Sequence, residues 1–308
     1  MSFDVLQEKI FSLANPTVAG LDPRPEHIPP HILNRHISRL GNTLAAAAEA
    51  YYEFNCGLID SFCDLVPAVK PQSAYYELLG WEGVKCLKKT ADYAKSRGMY
   101  VIADVKRNDI GTTAQAYSEA YLGTVTIGGE ALAPFGFDAA TVNAYLGSDG
   151  IVPFIDVCKK HGKGVFALVK TSNKSSGELQ DMTVEDGRTV YLCVGELMER
   201  LSADTVGSCG YSCVGAVVGA TYPRQLTELR QALSRTFFLV PGYGAQGGGA
   251  SDVVGAFDKK GGGAIINSSR AIMCAWKKTG GDGSDYQETA RAEVLRMRDE
   301  LRAAVKVL

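Results

Sequence analysis

The 308-residue chain carries 32 basic and 34 acidic side chains, which give a formal net charge of -2 at pH 7. This balance argues against a nucleic-acid-binding protein, because such proteins usually show a basic excess or a basic stripe. An apolar fraction of 46% is typical of a globular protein. We find no leader segment and no apolar run long enough to span a bilayer, and therefore expect no membrane partner and a cytoplasmic location.

Eight short apolar runs recur along the chain, and stretches of helical character separate them. Their length and their β-branched residues predict strands at residues 17–21, 65–69, 99–103, 138–142, 164–169, 214–218, 237–240 and 264–266. Near-continuous apolar strands that alternate with helices predict a parallel sheet covered on both faces. Eight such units predict an α/β protein with a (β/α)8 TIM barrel, in which residues 1–308 form a single domain.

Helices are predicted over residues 40–61, over residues 74–96 as one helix or a pair, and at the C-terminus. The C-terminal stretch has Val294, Met297, Leu301 and Val305 at helical spacing, which predicts an amphipathic helix that covers the barrel. Two further stretches are predicted to be excursions, that is, segments that leave the regular alternation of strands and helices. Residues 173–188 are polar and could cover a pocket, and residues 277–285 predict a solvated loop.

Polar residues follow almost every predicted strand. They are Asp22, Lys70, Asp104 with Lys106, Asn143, Lys170 to Ser172, Thr221, and Asn267 to Arg270. In a barrel of this type the functional residues gather at the C-terminal ends of the strands. Because polar residues follow almost every strand around the barrel, the sequence predicts an active site at that end of the barrel.

The third strand ends in the motif D-x-K-x-x-D. Asp104 and Lys106 should point the same way, because side chains alternate along a strand, and Asp109 should follow in the loop. Charged side chains at the edge of an apolar core are energetically costly unless they pair with opposite charges or take part in binding or catalysis. A surface salt bridge at a strand end is the simple alternative, and the other strand endings favour a functional site.

A glycine-rich loop at residues 241–249 follows the seventh strand, and Ser268, Ser269 and Arg270 follow the eighth. Glycines let backbone N–H groups approach an anion, and barrels of this type often bind phosphate at these two loops. Arg270 could hold a phosphate with two parallel hydrogen bonds. The sequence therefore predicts a phosphate site, against the alternative of an ordinary surface arginine.

Histidine and cysteine give no sign of a metal site. The four histidines are absent from the strand endings, and the eight cysteines lack C-x-x-C spacing. We expect reduced thiols, no metal ion, and chemistry carried by lysines and aspartates.

These residues together resemble the orotidine 5′-phosphate decarboxylase family, and in particular its longer, second branch. The resemblance covers nearly the whole chain. It rests on Gly20-Leu21-Asp22-Pro23, Val69-Lys70-Pro71, Asp104-x-Lys106-x-x-Asp109-Ile110, Thr141-Val142-Asn143, Thr171-Ser172-Asn173, Pro241-Gly242-x-Gly244-x-Gln246-Gly247-Gly248 and Asn267-Ser268-Ser269-Arg270. The chain departs from the branch at Asn108, where glycine is more frequent.

The resemblance implies decarboxylation of orotidine 5′-phosphate to UMP, in pyrimidine biosynthesis and without a cofactor. It implies a homodimer with shared active sites, and a role for each matching residue. Lys70, Asp104, Lys106 and the partner's Asp109 would form an alternating charged tetrad, with Lys106 as the proton donor to C6. Asp22, Lys70 and the partner's Thr113 would hold the ribose, Ser172 the pyrimidine edge, and Gln246 and Arg270 the 5′-phosphate. Ser269, beside Arg270 at the end of the eighth strand, is a further candidate for substrate binding.

Three alternatives remain open from the sequence. A magnesium-dependent sugar-phosphate decarboxylase or aldolase of the same barrel superfamily shares the D-x-K-x-x-D motif. A Schiff-base aldolase would use Lys70 or Lys170 as its amine. A non-catalytic nucleotide-binding barrel would bind UMP without turnover.

Overall fold

Eight parallel strands close into a barrel, which confirms the predicted fold. The computed structural model describes residues 2–244 and 248–305. The barrel strands are β1 (Thr17–Leu21), β2 (Ala68–Pro71), β3 (Tyr100–Arg107), β6 (Ala139–Val142), β7 (Gly164–Lys170), β8 (Val214–Val218), β9 (Phe238–Val240) and β10 (Ala264–Ser268). They follow one another around the barrel in this order, and β10 pairs again with β1.

Helices cover the outside of the barrel and connect its strands. The α-helices within the described residues are α1 (Ser2–Leu13), α2 (Pro30–Leu40), α3 (Leu44–Phe62), α4 (Ser73–Glu77), α5 (Gly80–Ser96), α6 (Gly111–Leu122), α7 (Ser148–His161), α8 (Val190–Leu201), α9 (Pro223–Ala232), α10 (Ala250–Val253), α11 (Arg270–Met273) and α12 (Tyr286–Val305). No helix of the described residues is long and apolar enough to cross a membrane.

The barrel strands are buried on both faces, as their apolar composition predicts. Every residue of β1, β2, β6, β8, β9 and β10 is buried. Burial on both faces is what parallel strands require when helices cover the sheet. The hydrophobic core therefore lies both inside the barrel and between the strands and helices, and it holds the strand ends in fixed register.

Helix α1 closes the end of the barrel at which the strands begin, an element that the sequence analysis did not predict. Its buried face includes Phe3, Leu6 and Ile10. The ring of Phe3 lies 4.8 Å from that of Phe166 on β7 and 5.2 Å from that of Phe237, just before β9. The opposite end, at which the strands finish, is thereby left as the place for a ligand.

The sequence predicts one helix or a pair at residues 74–96, and the structure has the pair, α4 and α5, with Gly80 at a positive φ of 60° where the second helix begins. A small antiparallel hairpin, β4 (Val125–Ile127) and β5 (Glu130–Leu132), lies outside the barrel and was not predicted. Its strands are three residues long, too short for a clear alternating pattern.

Candidate active site

Two cavities open at the C-terminal ends of the barrel strands and meet at Lys70, Asp104 and Pro241. Each has a volume of about 400 Å³. The first is lined by Asp22, Arg24, His27, Lys70, Tyr75, Asp104, Pro241, Gly242, Tyr243, Asn267, Ser269 and Arg270. The second is lined by Lys70, Asp104, Lys106, Thr141, Leu168, Thr171, Ser172, Asn173, Gln180, Val217, Leu239 and Pro241. A ligand that spans both would pass directly over the charged groups they share.

The shared charges form one hydrogen-bonded array. Lys70 Nζ lies 2.6 Å from Asp104 Oδ2, and Lys106 Nζ lies 2.5 Å from Asp104 Oδ1. The side chains of Lys70 and Asp104 are 5% and 10% exposed, whereas that of Lys106 is 44% exposed. Lys106 is therefore the member of the array that is most exposed to solvent.

Electrostatics keep this array charged. Burial opposes a charged Asp104, but the ammonium groups of Lys70 and Lys106 outweigh burial and hold the pKa of its carboxyl group well below the usual range. Burial also opposes a charged Lys70, but the carboxylates of Asp104 and Asp22 raise the pKa of its ammonium group. Both groups of this buried pair are thus ionised at neutral pH.

Lys106 reaches Asp104 through an unusual backbone conformation. The sequence predicts that the two side chains point the same way because they alternate along a strand. They do meet, but Lys106 has a φ of 47°, in the left-handed region that a lysine rarely adopts. The pairing of β3 with β6 also shifts between Ala103 and Arg107. A bulge at the strand end, rather than regular alternation, therefore aims Lys106.

Asp22 lies beside this array, at the end of β1. The register pairs Gly20 with Lys70 on β2, which carries Asp22 to the same edge of the barrel. Burial raises the pKa of the Asp22 carboxyl group, and the ammonium group of Lys70 opposes that rise. Its Oδ1 is buried and has no hydrogen-bond partner among the described residues. A buried acceptor without a partner is suited to a ligand hydroxyl.

Ser269 and Arg270 lie at the far side of the first cavity, where α11 begins at Arg270. A Cβ atom on Gly20 would stand 1.9 Å from Ser269 Oγ, so glycine is required there for Ser269 to approach. The Arg270 side chain is exposed and lines the first cavity, so its guanidinium group is available to an anion. Gln246, which the sequence analysis assigns to the same site, lies outside the described residues.

The second cavity is bounded by Ser172 and by the polar excursion after β7. Gln180 lines this cavity, and its Nε2 donates to Thr171 Oγ1 at 2.8 Å. Lys170 is fully buried, and its Nζ donates to Asp181 at 2.7 Å, which anchors the excursion. Lys170 does not line either cavity, so its amine is unsuited to a Schiff base with a ligand in them.

Asp109 and Thr113 do not line either cavity among the described residues. The Asp109 carboxylate accepts a hydrogen bond from the backbone of Ile110 at 2.8 Å, and Thr113 is exposed on α6. Asn108, at the position where the chain departs from the resemblance, fits against Gly150, where a Cβ atom would stand 2.2 Å from its Oδ1.

Several cavity residues were missed by the sequence analysis. Arg24, His27 and Tyr75 line the first cavity, and Thr141 and Gln180 line the second. Thr141 is the last but one residue of β6 and could have been identified from the strand-end rule. Arg24, His27, Tyr75 and Gln180 lie further from their strands, in loops or on short helical turns, where position in the sequence gives no comparable signal.

No group of three or more metal-ligating side chains lies close enough to hold a metal ion in the described part of the chain. Asp104 has both carboxylate oxygens engaged by lysine ammonium groups. A divalent cation at this carboxylate would have to displace a lysine from it.

Comparisons with known proteins agree with this geometry. Residues 19–279 match the model of the orotidine 5′-phosphate decarboxylase / HUMPS family. An orotidine 5′-phosphate decarboxylase of Rhodopirellula baltica is 44% identical over 301 residues, which cover 96% of this chain and 97% of the relative. One from Clostridium tetani is 38% identical and covers 93% of each chain.

The fold gives the same result. A crystal structure of a Toxoplasma gondii protein, provisionally identified as an orotidine monophosphate decarboxylase, superposes with a TM-score of 0.79 at 29% identity and covers 98% of both chains. A family match over most of the chain, close relatives of equal length and a shared barrel lead to one conclusion: this chain is a member of the orotidine 5′-phosphate decarboxylase / HUMPS family.

Proposed function

We propose that this chain, acting as one unit over residues 1–308, decarboxylates orotidine 5′-phosphate to UMP in pyrimidine biosynthesis, without a cofactor and in the cytoplasm. The observation that carries the proposal is the Lys70–Asp104–Lys106 array, in which Lys70 and Asp104 are buried, between two cavities, one of which contains Arg270. The relatives named for this activity match 96% and 93% of the chain.

The cavities accommodate the substrate in one orientation. The phosphate lies in the first cavity against Arg270 and Ser269, with Gln246 as a further partner. The ribose hydroxyls then meet Lys70 and the unpartnered oxygen of Asp22. The pyrimidine extends into the second cavity, where its edge meets Ser172. This orientation sets the C6 carboxylate over Asp104 and Lys106.

The reaction breaks the bond between C6 and the carboxylate carbon. Carbon dioxide leaves, and the electron pair stays on C6. The Lys106 ammonium group stabilises this pair more strongly than it stabilises the substrate, because charge moves onto the carbon beside it. Lys106 then donates a proton to C6 and yields UMP. With its side chain 44% exposed, Lys106 can regain a proton from solvent.

Asp104 acts on the substrate rather than on the product. Its low pKa keeps it negative beside the substrate carboxylate. Two like charges about 4 Å apart repel by ~4 kcal/mol at an effective dielectric constant near 20. The departure of carbon dioxide relieves that repulsion, and the binding energy of the distant phosphate offsets it in the bound substrate.

We also propose a homodimer in which Asp109 and Thr113 enter the partner's active site. Both residues follow β3 at the rim of the barrel and line neither cavity of their own chain among the described residues. The partner's Asp109 would complete the charged tetrad by adding a second carboxylate to the two lysines that now share Asp104. The partner's Thr113 would contact the ribose.

The function is tested by the loss of orotate absorbance when purified protein meets orotidine 5′-phosphate. We expect turnover that a chelator does not reduce and no lysine trapped by borohydride in the presence of substrate. Loss of activity with the chelator and its return with Mg²⁺ would favour the metal-dependent alternative. A trapped lysine would favour the aldolase, and UMP binding without turnover would favour the non-catalytic barrel.

Arg270→Ala should weaken UMP binding by at least about tenfold and leave uridine binding nearly unchanged, because uridine lacks the phosphate. Arg270→Lys should recover only part of the loss, since an ammonium group cannot form the two parallel bonds of a guanidinium group. Calorimetric titration with both ligands measures the difference, and Arg302→Ala, at an exposed position on α12, is the matched control. Equal weakening of both ligands would show that the phosphate is held elsewhere.

A further inference from the structure

We propose that Thr141 is a positioning residue for the decarboxylation, because its hydroxyl group fixes both the Asp104 carboxylate and the turned backbone of Lys106. The inference rests on the proposed function and adds a residue to it. Thr141 lies on β6, is 1% exposed, and is 37 residues from Asp104 in sequence.

The hydroxyl group of Thr141 uses its full hydrogen-bonding capacity on β3. Its Oγ1 accepts from the backbone N–H of Val105 at 3.0 Å and from that of Lys106 at 2.9 Å. It donates to Asp104 Oδ1 at 3.0 Å. A hydroxyl has one proton to donate and two lone pairs with which to accept. Because both lone pairs are occupied, the proton must be directed at the carboxylate.

These bonds replace the strand pairing that the bulge removes. Ala103 pairs with Ala140 and Arg107 pairs with Val142, so three residues of β3 lie opposite Thr141 alone. The backbone of β6 cannot supply acceptors for all of the N–H groups in that stretch, and the Thr141 side chain accepts two of them. A buried N–H group without a partner is costly, so the side chain is what allows the bulge to form here.

The bulge in turn aims the ammonium group of Lys106. Its φ of 47° is unfavourable for a residue with a Cβ atom and persists only where the surroundings hold it. Without the hydroxyl group of Thr141, the N–H groups of Val105 and Lys106 would lose their acceptor and Asp104 Oδ1 would lose a donor. The Lys106 backbone could then relax toward regular strand geometry and carry its Nζ away from C6.

The decisive variant is Thr141→Val, which keeps the shape of the side chain and removes the hydroxyl group. We expect kcat to fall by about tenfold to a hundredfold, the range for a lost hydrogen bond to a charged group. UMP affinity should stay within about threefold, because UMP has no carboxylate at Asp104 or Lys106. Thr141→Ser keeps the hydroxyl group and should restore most of kcat.

The matched control is Thr205→Val. Thr205 is also fully buried, and its Oγ1 accepts from the backbone of Cys213 at 3.0 Å and donates to the Ser202 carbonyl oxygen at 2.7 Å, at the end of the barrel where the strands begin. It should lower thermal stability without lowering kcat. If Thr141 had only a structural role, Thr141→Val would behave like Thr205→Val: it would lower thermal stability without lowering kcat.

Three results would overturn the inference: kcat of Thr141→Val within about threefold of wild type, equal losses of kcat and UMP affinity, or no rescue by Thr141→Ser. If Thr141→Val does not fold, Thr141→Ala carries the test with the same expected loss, and failure of both to fold would show that the hydroxyl group serves the fold alone. An inactive wild-type chain would instead reject the proposed function.

Discussion

Lys106→Ala should reduce turnover of orotidine 5′-phosphate by at least about a thousandfold, because it removes both the proton donor and the charge that stabilises the developing carbanion. UMP binding should persist, since the phosphate and ribose contacts lie in the other cavity and UMP carries no carboxylate. The variant should also fold, because Asp104 keeps its buried partner Lys70 at 2.6 Å.

Steady-state kinetics, UMP titration and thermal unfolding measure these three expectations. The matched control is Lys88→Ala on α5, which removes a lysine that pairs with Asp92 on the surface of the protein. That variant should retain wild-type kcat. Turnover of Lys106→Ala within tenfold of wild type, a difference of only about 1.4 kcal/mol in the activation barrier, would contradict the assignment of Lys106 as the proton donor.

Mixing Lys106→Ala with Asp109→Ala should restore about a quarter of wild-type activity, although each variant alone is nearly inactive. In a two-fold dimer with shared sites, a mixed dimer collects both defects in one site and leaves the other site intact. Random exchange makes about half of the dimers mixed, and half of their sites are intact. Two variants without activity would thus yield a partly active mixture.

The experiment needs independent proof of exchange, for which two affinity tags of different mass are sufficient. A mixture of tagged wild-type chains gives the reference activity after the same incubation. If the mixture stays inactive although exchange has been demonstrated, each chain contains all the residues of its own active site. Asp109 would then be a local residue whose carboxylate only caps the backbone of Ile110.

The strand endings could be predicted because a parallel barrel brings residues that are distant in sequence to one rim. Lys70 and Asp104 are 34 residues apart and form a buried ion pair. Apolar runs show where each strand lies, and the polar residue after each run shows what it contributes. The eight strands, the site at their C-terminal ends and the cavity positions of Asp22, Ser172, Ser269 and Arg270 follow from that rule.

The conformation of Lys106 could not be predicted in the same way. Glycine, asparagine and aspartate adopt the left-handed region routinely, and a lysine gives no local signal for it. The cause lies 35 residues further along the chain, in the hydroxyl group of Thr141. The roles of Asp109 and Thr113 depend on a second chain, and that of Gln246 on residues outside those described, so these remain predictions.

The position of α1 has a consequence for folding in the cell. Phe3 packs on Phe166 and Phe237, both of which the ribosome adds long after α1. At about 5–20 residues per second, synthesis takes on the order of ten seconds or more to reach the seventh barrel strand. Until then the apolar face of α1 has only part of its docking surface, because Phe237 contributes to that surface from far along the chain. A nascent chain stalled before Phe237 would therefore expose that face to chaperones, and α1 would be among the last elements to dock.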